Sequence, residues 1–437
     1  MLKVAYLANQ FPSAVEPYVA AEIEELRRRG LEVIAGSALQ PDRNQSTVAP
    51  KRSFEVVILQ PLQLVLLMRA LWLSLRHWHQ LADLLRRVVL QGQESPIQRI
   101  KALLHTWLGA YYAVCLQGRG IEHIHVHHGY FGSWIAMVAA RLLDAEFSMT
   151  LHGSDLLLHG AYLDSKLKNC RFCLTVSEYN QRYILKHYPE VEAEKVLVAR
   201  LGVDLPEITY FPDFGPQTSA LDSSSEFAIL TVGRLHAVKD HAFLVRACAQ
   251  LRAHGIRFEC SIAGEGPERH KLESLIARYG LEAHVTLLGH VLRQQIDSLY
   301  ARADVVVLTS RSEGIPLVLM EAMARGKIVL APAITGVPEL VVAGKSGFLY
   351  EPGSLGDLVA QLLFIRSLMR THGSPDHHPY ILSAAKQLDW VRYGAKVQVR
   401  RNYNRKKNLE SFGDLFIQRT APPSGSIHHE NPVLQQI

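Results

Sequence analysis

Cysteine is scarce. Cys115, Cys170, Cys173, Cys248 and Cys260 are scattered over 437 positions. They are too few and too dispersed for a disulfide framework and fit a reducing cytosol. Uninterrupted apolar runs are also missing. The longest apolar stretch, VVILQPLQLVLLMRALWLSL, is broken by Pro61 and Arg69, which argues against a membrane-spanning helix. The opening MLKVAYLANQFP breaks at Asn9 and Gln10 and lacks a secretory-signal plan. No Asp-x-Asp pair occurs, so a divalent ion bridging two phosphates is not expected. No G-x-G-x-x-G follows the first strand, which disfavours a dinucleotide fold. The GKS of GVPELVVAGKS has the wrong glycine spacing for a Walker loop.

The remaining composition is that of a soluble globular protein. Hydrophobic residues make up 48% and charged residues 20% of the chain. The formal net charge is +6, which suits phosphates, polyanions or an anionic membrane surface as partners. At roughly 150 residues per domain the length allows two or three domains.

Short apolar runs alternate with amphipathic stretches. KVAYLA reads as a buried parallel strand, EPYVAAEIEELRRRG as a helix stopped at Gly30, and LEVIAGSAL as the next strand. A helical stretch from about 63 to 115 follows. The alternation then returns through IEHIHVHHG, SWIAMVAARLL, EFSMTLHGSD, FCLTVS, EYNQRYILKHY and KVLVARLGVD. Residues 206–225 are rich in Pro, Ser and Asp and read as a linker. A second alternating series begins at FAILTVGRL. The expectation is an α/β protein with two Rossmann-like domains facing each other across a cleft: 1–205, then 226–380. Ligands in such sheets sit at the C-terminal strand ends, and two facing sheets leave a crevice between them.

In RSEGIPLVLMEAMARG the strand DVVVLTS leads into a helix starting near Pro316. Glu313 then lies in the strand-to-helix loop, and Glu321 lies more than a turn into the helix. Gly314 keeps the loop free of bulk. The first amides, those of Leu317 and Val318, point into the cleft as an anion site. The amides would take phosphate oxygens, and the two carboxylates would take vicinal hydroxyls. A solvated glutamate favouring the helix dipole is the structural alternative.

TVGRLHAVKD supplies Arg234 and Lys239 after the first strand of the second half. Two cations there suit a diphosphate leaving group, although exposed surface cations are the commoner case. MTLHGSD puts His152 at a strand end of the first half, where it can meet a substrate hydroxyl or phosphate. A lone histidine is more often structural. His123, His125 and His127 share one strand face. A metal site there lacks a carboxylate at ligand spacing, so burial is expected for the first two, with His127 and His128 nearer the cleft. Cys170-x-x-Cys173 lacks a second ligand pair and reads as a buried strand start.

These segments resemble the retaining glycosyltransferases of family 4, which have the GT-B fold. EGIPLVLME resembles that family's E-x7-E motif, and GRLHAVKD its G-R-x4-K segment. GEGPERHKLE, LLGHV and GVPELVVAGKSGFLYEPG follow in the family's order, so the resemblance covers about 226 to 365. FPSAVEPYVAAEIEELRRRGLEV, HVHHGYFGSWIAMVAARLL and TLHGSD resemble the bacterial exopolysaccharide branch, including colanic-acid-type enzymes. The branch's F-P-x-x-S-E-T-F pattern is altered: Val15 and Pro17 replace Ser and Thr while Glu16 remains.

The resemblance implies transfer of a sugar, with retained anomeric configuration, from a nucleotide-sugar donor to a glycan or lipid-linked acceptor. Neither a metal nor another cofactor is implied. Arg234 and Lys239 would bind the diphosphate, Glu321 the ribose and Glu313 the transferred sugar. His152 would sit at the reaction centre, and Glu16, His127 and Asp155 on the acceptor side. A nucleotide-sugar epimerase of the same fold and a catalytically silent glycan-assembly partner remain the alternatives; nucleic acid is not an expected partner.

Residues 63–90 mix apolar positions and two tryptophans with Arg69, Arg76, Arg86 and Arg87. They read either as peripheral contact with an anionic membrane, which would place the protein at the inner face of the plasma membrane, or as helices packed on the first sheet. By resemblance, a helix over 381–409 crosses back to the first domain. Residues 410–437 read as a disordered tail.

Overall fold

The computed structural model describes residues 2–13, 16–40, 55–91, 94–158, 160–206, 226–370 and 379–421. Most of the expected linker, and the chain after 421, lie outside these residues. The first unit contains β1 (Lys3–Gln10), α1 (Pro17–Arg28), β2 (Glu32–Leu39), β3 (Val56–Ile58), α2 (Leu64–Arg76), α3 (Trp78–Val89) and α4 (Pro96–Leu116). It continues with β4 (His123–His127), α5 (Phe131–Leu142), β5 (Glu146–Leu151), α6 (Ser154–Leu157), α7 (Leu163–Asn169), β6 (Phe172–Thr175), α8 (Glu178–His187) and β7 (Val196–Val198). All strand pairings are parallel, in the order β3-β2-β1-β4-β5-β6-β7.

The second unit contains β8 (Phe227–Val232), α9 (His241–Ala253), β9 (Phe258–Ala263), α10 (Arg269–Arg278), β10 (Val285–Gly289), α11 (Arg293–Arg302) and β11 (Val305–Val307). It ends with α12 (Leu317–Ala324), β12 (Ile328–Pro332), α13 (Val337–Leu340), β13 (Phe348–Tyr350) and α14 (Leu355–Arg370). Its parallel sheet has the order β10-β9-β8-β11-β12-β13. The fold is α/β with two Rossmann-like domains.

The sequence explains these elements locally. The inner residues of β1, Val4 to Ala8, are all buried, as expected for a central parallel strand covered on both faces. In α1, Pro17 occupies the first turn and Arg27 and Arg28 the last, and Gly30 follows with φ +89°. The start of α4 is a capping box: Ser95 Oγ accepts from the Gln98 amide at 3.4 Å, and the Gln98 side chain accepts from the Ser95 amide at 3.0 Å. Each sheet reverses its winding between the first strand and the strand paired on its other side, β1/β4 and β8/β11. These switch points are where an open parallel sheet leaves a crevice.

Two expectations are corrected at the C-terminus. Helix α15 (Pro379–Asn402) does not cross: its Val391, Ala395 and Val399 pack into the second unit. The crossing is made by Tyr403–Arg405, where the Val203 amide donates to Tyr403 O at 3.0 Å and the Arg405 amide to Val203 O at 3.1 Å. Residues 410–420 are not a disordered tail. They belong to α16 (Arg405–Thr420), which buries Phe412 and Phe416 beneath the first sheet beside Phe172, His123 and His125. The apolar stripe of Phe412, Leu415 and Phe416 is short and sits between a cationic run and a Pro-Pro-Ser-Gly segment, so periodicity gave it little weight. Arg29 and Arg171 hold the helix from the first unit, donating to Glu410 O at 2.6 Å and Arg419 O at 2.5 Å. Phe416 is fully buried. Phe416→Ala should therefore cost about 3–5 kcal/mol, read as a lower urea midpoint with little change in slope.

Candidate active site

The two units touch backbone to backbone. A Cβ on Gly314 would lie 1.8 Å from His152 O, and one on Gly153 would lie 2.7 Å from Gly314 N. Gly153 also has φ +147°, a conformation side chains rarely adopt. No other residue fits at either position without parting the two loops. This contact brings the end of β5 against the loop after β11. A latch lies beside it: the α8 amides of Glu178 and Tyr179 donate to the Glu339 carboxylate of α13, at 3.0 and 2.5 Å. That is a helix N-terminus receiving an anion.

On the second-unit side, the loop after β8 is pinned to the loop after β11. Thr309 Oγ1 donates to Lys239 O at 3.0 Å, and the Arg311 amide donates to Val238 O at 2.8 Å. Lys239 Nζ reaches Glu313 Oε1 at 2.5 Å. Glu313 is anchored through its backbone: its amide donates to Thr335 Oγ1 at 3.4 Å. Helix α12 begins one residue later than expected, with Pro316 as N-cap and Leu317 as its first helical residue. The Leu317 and Val318 amides have no carbonyl a turn earlier and are left for another acceptor. Glu321 accepts from Tyr300 Oη at 3.0 Å. Arg234 is exposed at the rim of the same loop.

The first-unit side is a chain of hydrogen bonds across three strand ends. Glu22, on the buried face of α1, meets His127 Nε2 at 2.9 Å, and His127 Nδ1 meets His152 Nε2 at 2.8 Å. Tyr6 Oη donates to the same Glu22 oxygen. In the tautomer with Glu22 accepting from His127 Nε2–H, His127 Nδ1 accepts from His152 Nε2–H. His152 Nδ1 is then left as a proton acceptor. Tyr18 stacks on the His152 ring at 4.9 Å. Burial, followed by the charge of His128, pushes the His152 pKa well below the ordinary range. It therefore stands neutral at physiological pH.

His128 completes the cluster. Its Nε2 meets Glu16 Oε1 at 2.8 Å, and its Nδ1 lies 3.6 Å from Asp155 Oδ2. Burial alone would lower the His128 pKa, but the bonds and charges of Asp155 and Glu16 outweigh it and raise the value to about 10. Burial opposes ionisation of Asp155 as well, yet His128 holds its carboxyl below the usual range. Asp155 also accepts from the amides of Gly129 at 2.8 Å, His152 at 3.1 Å and Gly153 at 2.7 Å. It thereby fixes the loops after β4 and β5 together.

The structure brings His152, Lys239, Glu313, Gly314 and the tip of α12 to one crevice. His127 and Asp155, expected on the acceptor side, are instead wholly buried. They bond to His152 and its loop. Glu16 lies beside them on His128. His123 and His125 bond to Ser148 and Thr150 under α16. Among the described residues no group of His, Cys, Asp or Glu is arranged to hold a metal ion. Cys170 and Cys173 are buried thiols at the start of β6. Glu22, Tyr6, Tyr18 and Thr335 were missed. Glu22 had a signal: it is an acid on the helix face that carries Val19, Ile23 and Leu26.

Two parallel-sheet units facing across such a crevice are the architecture of GT-B glycosyltransferases. Sucrose-phosphate synthase from Thermosynechococcus elongatus superimposes with TM-score 0.68 at 18% identity, covering 96% of this chain and 99% of that one. Anabaena HepE in complex with UDP and glucose does so with TM-score 0.64 at 18% identity, covering 96% and 100%. Residues 219–370, about a third of the chain, match the family model Glycosyl transferases group 1. The putative colanic acid biosynthesis glycosyltransferase WcaL of Salmonella typhimurium is 35% identical over 39% of this chain and 41% of its own length. The amylovoran biosynthesis glycosyltransferase AmsK of Erwinia amylovora is 32% identical over 45% and 47%. The matches thus span somewhat under half of these relatives.

The His128 shift carries a pH dependence. Its folded value, about 10, lies above the ordinary 6.5. Its contribution to stability is therefore fully present below about pH 6.5 and is lost as pH rises toward 10. Buried Lys166, lowered by burial to about 7, acts in the opposite sense over a similar range. The difference between wild type and His128→Gln isolates the histidine. Their urea midpoints should differ most near pH 6 and converge toward pH 10.

Proposed function

We propose that this protein is a retaining glycosyltransferase. It moves a sugar from a nucleotide-sugar donor to a glycan or lipid-linked acceptor in surface or exopolysaccharide synthesis, working at the inner face of a membrane. The observation that carries this reading is the crevice itself. The Lys239–Glu313 pair at 2.5 Å and the open amides of α12 lie directly across the Gly153–Gly314 contact from His152. The likeness of the second half to group 1 glycosyl transferases supports it.

In this reading the donor diphosphate lies over the α12 tip. Lys239 and Arg234 stabilise the charge that grows on it as the bond from sugar C1 to phosphate oxygen breaks. No metal is assigned a part. Lys239 exchanges its contact with Glu313 for a phosphate oxygen. The freed Glu313 accepts from hydroxyls of the transferred sugar, and Glu321 accepts from the ribose. The acceptor hydroxyl attacks C1 on the face the phosphate leaves, so configuration is retained. Its proton passes to the departing phosphate oxygen. His152, neutral and fixed through His127 and Glu22, accepts a hydrogen bond from the sugar at Nδ1 and holds C1 in line.

A thermal-shift panel of UDP-, GDP- and ADP-sugars should show one nucleotide raising the melting temperature, since ligand binding to the native state stabilises it. Lys239→Ala and Arg234→Ala should each cut turnover by a few powers of ten, corresponding to about 2.7–4 kcal/mol for one lost charge-stabilising donor. Unchanged turnover in both variants removes the donor assignment.

A further inference from the structure

Helix α4 carries two neighbouring stripes. Gln98, Lys101, Ala102 and His105 line one side of a cavity of about 430 Å³. That is a common size for a small-molecule site. One step around the helix, Ile97, Ile100 and Leu104 stand in solvent. Helix α2 packs beside α4, and the Trp107 indole N–H donates to Leu67 O at 3.2 Å between them. Its Leu64, Val65, Trp72 and Leu75 are exposed as well, Leu64 at 74% and Leu75 at 65%. An apolar face of this kind is unusual on a protein that stays in water. Neither helix contains an acid, while Arg69, Arg76 and Lys101 are exposed on them. Arg76 lies over the Trp72 ring at 5.2 Å. Exposed aliphatics and tryptophan with only cations among them complement an anionic lipid surface.

Two lysines border the cavity behind this face. Lys101 stands at its rim, and buried Lys166 lies in its wall, donating to Gly129 O at 2.7 Å, Ala161 O at 2.9 Å and Tyr130 O at 3.1 Å. Burial, then the charges of Lys166 and Lys101, lower the lining His105 to about 4. Tyr162 also lines the cavity, and among the described residues its buried hydroxyl has no hydrogen-bond partner. Phe131 and Trp134 supply apolar wall. Tyr130, on the side toward the crevice, stacks on His128 at 5.6 Å.

We propose that this cavity binds the phosphate-bearing head group of a lipid-anchored acceptor, and that the lipid surface lies against the outer face of α2 and α4. The acceptor would thus approach the His152 crevice from the side of Tyr130. That the ligand is an acceptor rests on the transfer reading; the binding itself does not.

The test uses the full chain and two probes. Farnesyl diphosphate, a soluble prenyl diphosphate, should bind saturably by calorimetry, and inorganic pyrophosphate at least tenfold more weakly. Lys101→Glu and Gln98→Glu, both at exposed positions, should each weaken farnesyl diphosphate binding at least tenfold with unchanged melting temperature. Equal binding of pyrophosphate would make this a free-phosphate site and overturn the lipid. Absent binding, or binding insensitive to both substitutions, would overturn the cavity; insensitivity is also the signature of a diphosphate held at Lys239. In sedimentation, the chain should follow phosphatidylcholine vesicles containing phosphatidylglycerol at least tenfold better than phosphatidylcholine alone. The double variant Trp72→Glu/Leu75→Glu should stay in solution. Failure of the wild type to sediment, or a dimer by light scattering that this variant dissociates, would assign the face to something other than lipid. Stabilisation by nucleotide-sugars is read at the other crevice and should be the same in all three variants, so the two readings fail separately.

Discussion

The active crevice depends on a steric constraint: two glycine-bearing loops from different domains approach until their backbones touch. With a Cβ on Gly314 only 1.8 Å from His152 O, any side chain there would wedge the domains apart. The contact places residue 152 of one sheet next to residue 313 of the other. Both sheets reverse their winding at these strand ends, so each contributes its open end to the same gap. The Glu339 latch on α8 and the return of α16 beneath the first sheet hold the two units in this relation.

The two walls of the crevice solve different electrostatic problems. The second-unit wall offers a lysine paired with a carboxylate, Lys239 with Glu313. The first-unit wall offers fixed charge. Asp155 is paid for by three backbone amides and a cationic His128, and the neutral His152 is aimed by a buried His127–Glu22 pair. Burial raises the stakes for every group here, since an unpaired charge in this layer would be costly. A buried, hydrogen-bonded wall opposite an ion pair suits a reaction in which charge appears on one substrate group and the other substrate must stay in line.

Much of this was legible in the chain. The alternation of apolar runs and amphipathic helices gave both sheets. Glu313, Gly314 and Lys239 stood at strand ends where the fold had to leave them. Other features were not readable. Glu22 looked like one more helical glutamate until three strand ends closed over it. His127 and Asp155 lay near the right place, but whether they faced a ligand or the interior depended on packing from α1 and α6. Helix α16 reads as a tail because its three apolar residues have value only against the underside of a sheet formed far earlier in the chain.

By itself the sequence determined the two-sheet architecture and the residues at the strand-to-helix loops, because period and turn chemistry are local. Only the tertiary structure decided which carboxylates are partnered and which histidine stands neutral, which outer helix face is left uncovered and where a cavity opens behind it. Those properties arise from groups distant in the chain and brought within a few ångströms by packing.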